Sequence, residues 1–124
     1  MEADHIVVKK RGEGEILIIS VSGDVIITNA QPLQREIDER INEGAIKILF
    51  DLSKIGYVDS FGIGVLVKTK SVLDKLKGKM AVVANSTFFQ LMEKCHMTEY
   101  IDVFEDASIE GDEEIIQEAL EEFI

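Results

Sequence analysis

"ILFDLSKIGYVDSFGIGVLV", Ile48 to Val67, changes its hydrophobic period half-way along. The run around its start, "AIKILFDL" from Ala45, is mostly apolar and short, the pattern of a strand buried on both faces. Asp51 is expected to end that strand and Ser53 to Asp59 to form a loop. From Ser60 the pattern is helical: Ile63, Leu66, Val67, Leu73 and Leu76 share one face, and Gly78 closes the segment. Strand, loop and helix in that order form the first part of a β-α-β unit.

The same reading extends outward in both directions. "HIVVKK" and "EILIISVS" flank "RGEG", so His5 to Lys10 and Glu15 to Ser22 are predicted to form a hairpin with a tight turn. Gly23-Asp24 punctuates, Val25 to Ile27 reads as a short extended piece, and Thr28 or Asn29 caps a helix with Pro32 in its first turn. Leu33, Ile37 and Ile41 give that helix one buried stripe before Gly44 stops it. Beyond Gly78, "KMAVVAN" is another buried strand, Ser86 caps a helix with Phe88, Leu91, Met92 and Cys95 inward, and Tyr100 to Phe104 gives a last strand. Asp112 or Glu113 opens a final acidic helix, about 112–124, with Ile116, Ala119, Leu120 and Phe123 inward. The order β-β-α-β-α-β-α-β-α implies an α/β fold: a mixed, mainly parallel sheet with about four helices and right-handed crossovers.

A chain of 124 residues with 46% hydrophobic residues fits one domain, 1–124. No segment reaches the roughly 18 to 20 apolar residues of a membrane helix and the start lacks a secretory signal, so a cytoplasmic location with no membrane partner is expected. The net charge of −11 argues against direct nucleic-acid binding. Its acidity belongs to the tail: nine of the 24 acids lie from Glu105 onward, where there is no Lys or Arg. The stretch "EDASIEGDEE" is expected to be mobile. Lys68, Lys70, Lys75, Lys77 and Lys79 cluster against Asp74 alone, which reads first as a solvated helix face.

Few residues invite chemistry. Ser60 stands where a loop becomes a helix, so its oxygen is suited to capping, and the same position exposes the hydroxyl and sets any phosphate beside the positive helix end. Pattern alone favours the cap. Gly62 and Gly64 flank Ile63, but "GIG" is neither a dinucleotide nor a P-loop fingerprint. Each glycine lowers helix stability by up to about 1 kcal/mol relative to Ala, so close packing or a docking partner must favour them. Asp24, Asp51 and Asp59 each follow or end a strand-like segment and are expected at one rim, as turn and cap acids in preference to metal ligands. With one cysteine and two histidines, neither a disulfide nor a structural metal is expected, and no cofactor is implied. Cys95 reads as a buried thiol, His96 as solvent-facing or capping. Phe61 and Phe89 lie next to caps, off the core stripes, and an exposed aromatic beside Ser60 would be an anchor for a partner.

Taken with this layout, "ILFDLSKIGYVDSFGIGVLV" resembles the signature of the STAS domain, specifically of bacterial anti-sigma factor antagonists. The resembling features are an apolar strand ending in Asp51, a short loop, and Asp59-Ser60-x-Gly62-Ile63-Gly64 opening a helix. "VSGDVIITNAQPLQREI" is similar to the family's glycine-acid turn and first helix, and "HMTEYIDVFEDASIEGDEEIIQEAL" to its closing strand and helix, in a slightly longer form. The resemblance implies a mixed sheet surrounded by helices.

It also implies a role. In such antagonists the serine after the aspartate is phosphorylated by the cognate anti-sigma factor, a serine kinase with a histidine-kinase-like ATPase fold, and that position is Ser60. The unphosphorylated protein would bind the anti-sigma factor and free sigma factor for RNA polymerase; phosphorylation would prevent binding, and a metal-dependent serine phosphatase would restore it. Such a domain is a substrate and binder, not an enzyme. The implied contact residues are Asp24, Asp59, Ser60, Phe61, Gly62, Ile63, Gly64 and Lys68, and Gly62→Arg is expected to abolish binding while leaving thermal stability largely intact. Many relatives carry Ser or Thr after the acceptor; here it is Phe61, which removes a neighbouring hydroxyl but not the acceptor. Two rivals stand beside this reading: a non-phosphorylated STAS scaffold of a stress-signalling or lipid-transport complex, and a small nucleotide-binding enzyme using the acidic rim.

Overall fold

A computed structural model describes residues 6–11, 16–108 and 113–123. His5, the "RGEG" turn beyond Arg11, Asp112 and the middle of the acidic stretch lie outside the described residues. The elements run β1 (Ile6–Arg11), β2 (Ile16–Val25), α1 (Ile27–Asn42), β3 (Lys47–Val58), α2 (Ser60–Lys75), β4 (Lys79–Asn85), α3 (Ser86–Lys94), a 3-10 turn (Met97–Glu99), β5 (Asp102–Asp106) and α4 (Glu113–Glu121). β1 pairs antiparallel with β2, from Ile6 opposite Val21 to Arg11 opposite Ile16. β2 to β5 are parallel, and spatial order follows chain order. The expected mixed, mainly parallel sheet is therefore present.

Strand alternation sorts the core into two layers. Ile48, Phe50 and Leu52 of β3 face Leu33 and Ile37 of α1, Leu66 and Leu73 of α2, and Phe88 and Met92 of α3. Leu49, Ala81 and Val83 point the other way, onto Ile116 and Ala119 of α4 and Phe123 just beyond it. Three helices cover one face and α4 lies on the other. This double cover is why "ILF" has no polar alternation.

Several boundaries differ from the sequence reading. β3 does not end at Asp51: it pairs with β4 only as far as Leu52, then continues beside β2 to Val58. The expected Ser53–Asp59 loop is thus mostly strand, because β2 also runs on through Gly23-Asp24 to Val25 with two register shifts and supplies a partner. The last strand is Asp102–Asp106, since Met97–Glu99 closes a 3-10 turn first. On α2 the buried positions are Gly62, Val65, Leu66, Thr69 and Leu73, while Val67 and Leu76 are exposed. Cys95 is exposed as well: it caps α3, and the chain turns away at His96, whose φ is 61°.

Helices α1 and α2 end in the same way with different residues. After α1, Gly44 takes a φ of 108° and Ala45 N donates to Arg40 O at 3.0 Å. After α2, Lys77 takes a φ of 60° and Gly78 N donates to Leu73 O at 2.7 Å. Both are left-handed helix stops, a conformation that favours glycine. Gly78 is needed for another reason, since a Cβ there would overlap the Ile46 carbonyl oxygen. Lys77→Gly is therefore expected to raise stability by about 0.5–1 kcal/mol and Gly78→Ala to lower it by more than that, read as opposite shifts of the urea midpoint.

Candidate functional site

The C-terminal ends of β2 and β3 meet where α1 and α2 begin. Asp59 leaves β3 in extended conformation, φ −93° and ψ −173°, and is the residue that caps α2. Its Oδ1 accepts from Phe61 N at 2.9 Å and Gly62 N at 3.1 Å. Its Oδ2 accepts from Ile27 N, the first residue of α1, at 3.0 Å. One carboxylate thus serves the free N–H groups of two helices. The backbone adds Asp59 N donating to Val25 O at 3.1 Å.

A second set of bonds holds the neighbouring chain. Asp24 Oδ1 accepts from Tyr57 N at 2.8 Å, and Asn29 Nδ2 donates to Asp24 O at 2.8 Å. Asn29 Oδ1 accepts from Ile26 N at 2.8 Å. Asn29 is therefore in the first turn of α1 reaching back, and Ile26 occupies the cap position expected for Thr28 or Asn29. The cap of α3 is displaced too, by one residue: it is Asn85 and not Ser86, with Phe88 N donating to Asn85 Oδ1 at 2.8 Å.

Ser60 is consequently not a cap. It is the first residue of α2, exposed, and its hydroxyl makes no hydrogen bond among the described residues. Three exposed large apolar side chains lie close by in the chain or across the Asp59 cap: Tyr57 at 66%, Ile27 at 59% and Phe61 at 53%. Tyr57 and Ile27 are absent from the sequence-based site, because the hydrophobic pattern puts one in a loop and the other in a strand. Their signal was their size beside turn residues.

The two glycines divide the roles that sequence left open. A Cβ on buried Gly62 would lie 2.5 Å from Val58 Cγ1 and 3.0 Å from Val25 O, so this glycine lets α2 settle onto β2 and β3. Gly64 is exposed with nothing within 4 Å of such a Cβ. The expectation that Gly62→Arg would spare stability is therefore wrong. Ile63 is half-buried against the core, Lys68 is exposed two turns along α2, and Phe89 packs against the core.

The three acids do not share a rim. Asp51 lies inside β3, where its Oδ1 accepts from Ser53 N at 3.2 Å and Ser53 Oγ at 2.8 Å. Only Asp24 and Asp59 reach the strand ends. Among the described residues no three His, Cys, Asp or Glu side chains converge as a metal-binding group, and no helix is long and apolar enough to cross a membrane. His96 is exposed with Nδ1 3.0 Å from Glu99 Oε2.

A strand-end aspartate, an uncommitted serine and a glycine that must be small match the pattern quoted at the outset, and the family model described as STAS domain matches residues 7–108. The chain belongs to the STAS domain family. No curated protein matches the sequence significantly. Among solved STAS-like structures, a candidate anti-sigma factor antagonist of Thermotoga maritima is 22% identical, with a TM-score of 0.81 over 95% of this chain and 93% of that one. An anti-sigma factor antagonist from Mycobacterium paratuberculosis is 18% identical, with a TM-score of 0.73 over 94% and 95%. The Bacillus cell fate determinant SpoIIAA in its phosphorylated form is 15% identical, with a TM-score of 0.70 over 92% and 98%. At these identities the likeness is one of STAS fold.

Four substitutions test the geometry. Asp59→Ala is expected to cost about 2 kcal/mol, the upper end for a single cap, because it orphans donors in two helices; Asp59→Asn, which keeps one acceptor, should cost less. Gly62→Ala should destabilise through its overlap with Val58, whereas Gly64→Ala should stabilise by up to about 1 kcal/mol. Urea midpoints check all four.

Proposed function

We propose that this chain, as one STAS domain over residues 1–124, is a bacterial cytoplasmic anti-sigma factor antagonist whose switch is Ser60. The observation that carries the reading is the division of labour between neighbours: Asp59 does the capping, so the Ser60 hydroxyl is exposed and uncommitted at a helix start. A structural neighbour described in a phosphorylated form gives the reading a precedent in this fold. The partner would be an anti-sigma factor that is also a serine kinase with a histidine-kinase-like fold. It transfers the γ-phosphoryl group of ATP to Ser60 Oγ, releasing ADP and a proton. A metal-dependent phosphatase adds water to the ester and returns the hydroxyl and inorganic phosphate. The chain itself is binder and substrate.

Electrostatics supplies the switch. A phosphoryl group adds about −1.5 to −2 charges at neutral pH. A helix start normally offsets such charge with free N–H groups, but Phe61 N and Gly62 N already bond Asp59. The new charge would therefore sit beside the Asp59 carboxylate, close to exposed Phe61, Ile27 and Tyr57. A partner that had buried those apolar groups against a neutral hydroxyl would have to desolvate clustered negative charge. Release needs no refolding.

The test is intact-protein mass spectrometry after incubation with ATP and the host's anti-sigma serine kinases, beside Ser60→Ala. Gain of one phosphate by the wild type alone is expected, with Ser60→Ala still binding the kinase and Ser60→Asp binding more weakly. Binding by a kinase that never transfers phosphate, or equal affinity of wild type and Ser60→Asp, would replace this reading with the non-phosphorylated scaffold.

A further inference from the structure

Helices α1 and α2 start level, because Asp59 ties Ile27 N and Phe61 N to one carboxylate, and both lie on the same sheet face. Between them runs an open groove of about 380 Å³. Its α1 wall carries Ile27, Gln31 and Gln34; its α2 wall carries Phe61, Gly64 and Lys68. Each wall spans seven residues, about 10 Å at 1.5 Å per residue. The rim end is apolar through exposed Ile27 and Phe61, and the far end holds the one charged side chain of the lining, Lys68.

Two features point to an occupant. Gly64 faces open space, so nothing in the described fold requires a glycine there, although glycine weakens a helix. Lys68 makes no ion pair with any described residue, while Lys70, two positions on, bonds Asp74 at 2.7 Å and lies 5.7 Å from the Tyr100 ring centroid. A protein with net charge −11 here presents a cation and no carboxylate. The complement is an apolar group and an anion about 10 Å apart, which a helix provides with residues seven apart.

We infer that the α1/α2 groove receives one helix of the anti-sigma partner, which seats an apolar side chain at the rim between Ile27 and Phe61, passes over Gly64, and pairs a carboxylate seven residues along with Lys68. This deepens the antagonist reading and rests on it: it adds α1 to the contact surface and states what the partner must carry. It also links the groove to the switch, since Ser60 precedes Phe61 at the apolar end.

The experiment is calorimetric titration, without ATP, of the host's purified anti-sigma serine kinases with wild type, Gly64→Leu, Lys68→Glu and Lys68→Arg. Gly64→Leu, which fills the groove, and Lys68→Glu, which reverses its charge, should each weaken binding by about tenfold or more, and Lys68→Arg should stay close to wild type. Unchanged urea midpoints of the Lys68 variants exclude unfolding as the cause. Reversal of one partner acid should restore binding to Lys68→Glu. A kinase that binds wild type, Gly64→Leu and Lys68→Glu alike overturns the groove assignment and leaves the antagonist reading standing. No binding by any kinase overturns both. Self-association of the wild type that Gly64→Leu abolishes would assign the groove to a second copy of this chain instead.

Discussion

Two carboxylate oxygens fix the functional end of this molecule. Asp59 accepts from the first turn of α2 with one oxygen and from the start of α1 with the other. Helix starts leave N–H groups without partners, and each usually needs its own cap. A shared cap does something more than satisfy donors: it sets the relative position of two helices that otherwise touch only through side chains. Everything proposed for the site follows from that constraint. The helices start level, a groove forms between matched walls, and Ser60 is left with nothing to hold.

The constraint depends on the strands that deliver Asp59. β2 and β3 both run past the point where β3 leaves β4, and Asp59 N donates to Val25 O across their ends. Asp24 and Asn29 bond the same stretch of chain, to Tyr57 and Ile26. Gly62 then allows α2 to lie directly over Val25 and Val58, which any larger residue would prevent. The rim is held by backbone and short polar side chains, which limits its freedom where the proposed partner would meet it. A rigid surface loses little freedom on association, and a charge added to it is not relaxed away.

Much of this was legible in the chain. The double-sided strands, the helix stripes of α1 and α4, and the order of elements follow from hydrophobic period, because burial dictates that period directly. The caps were displaced by one residue at α2 and α3, where two competent residues are adjacent: Asp59-Ser60 and Asn85-Ser86. Pattern sees both, and only the backbone conformation decides between them. The α2 stripe was misplaced for a related reason. Its buried positions include Gly62 and Thr69, which are not hydrophobic, so counting apolar residues selects exposed Val67 and Leu76 instead. The length of β3 was hidden because its second half pairs on one side only.

The two glycines show why the site could be located but not resolved from sequence. Both carry the same local cost in a helix, and the sequence offers no way to separate a packing reason from a binding reason. The fold separates them at once, since one would strike Val58 and the other meets solvent. A small residue that the core does not need, on a wall between exposed Phe61 and unpaired Lys68, is a cost in stability with no return inside the described fold. Such a residue is best explained by atoms that belong to another molecule. The buried glycine lets α2 settle onto β2 and β3, and the exposed one lies where the proposed partner would pass.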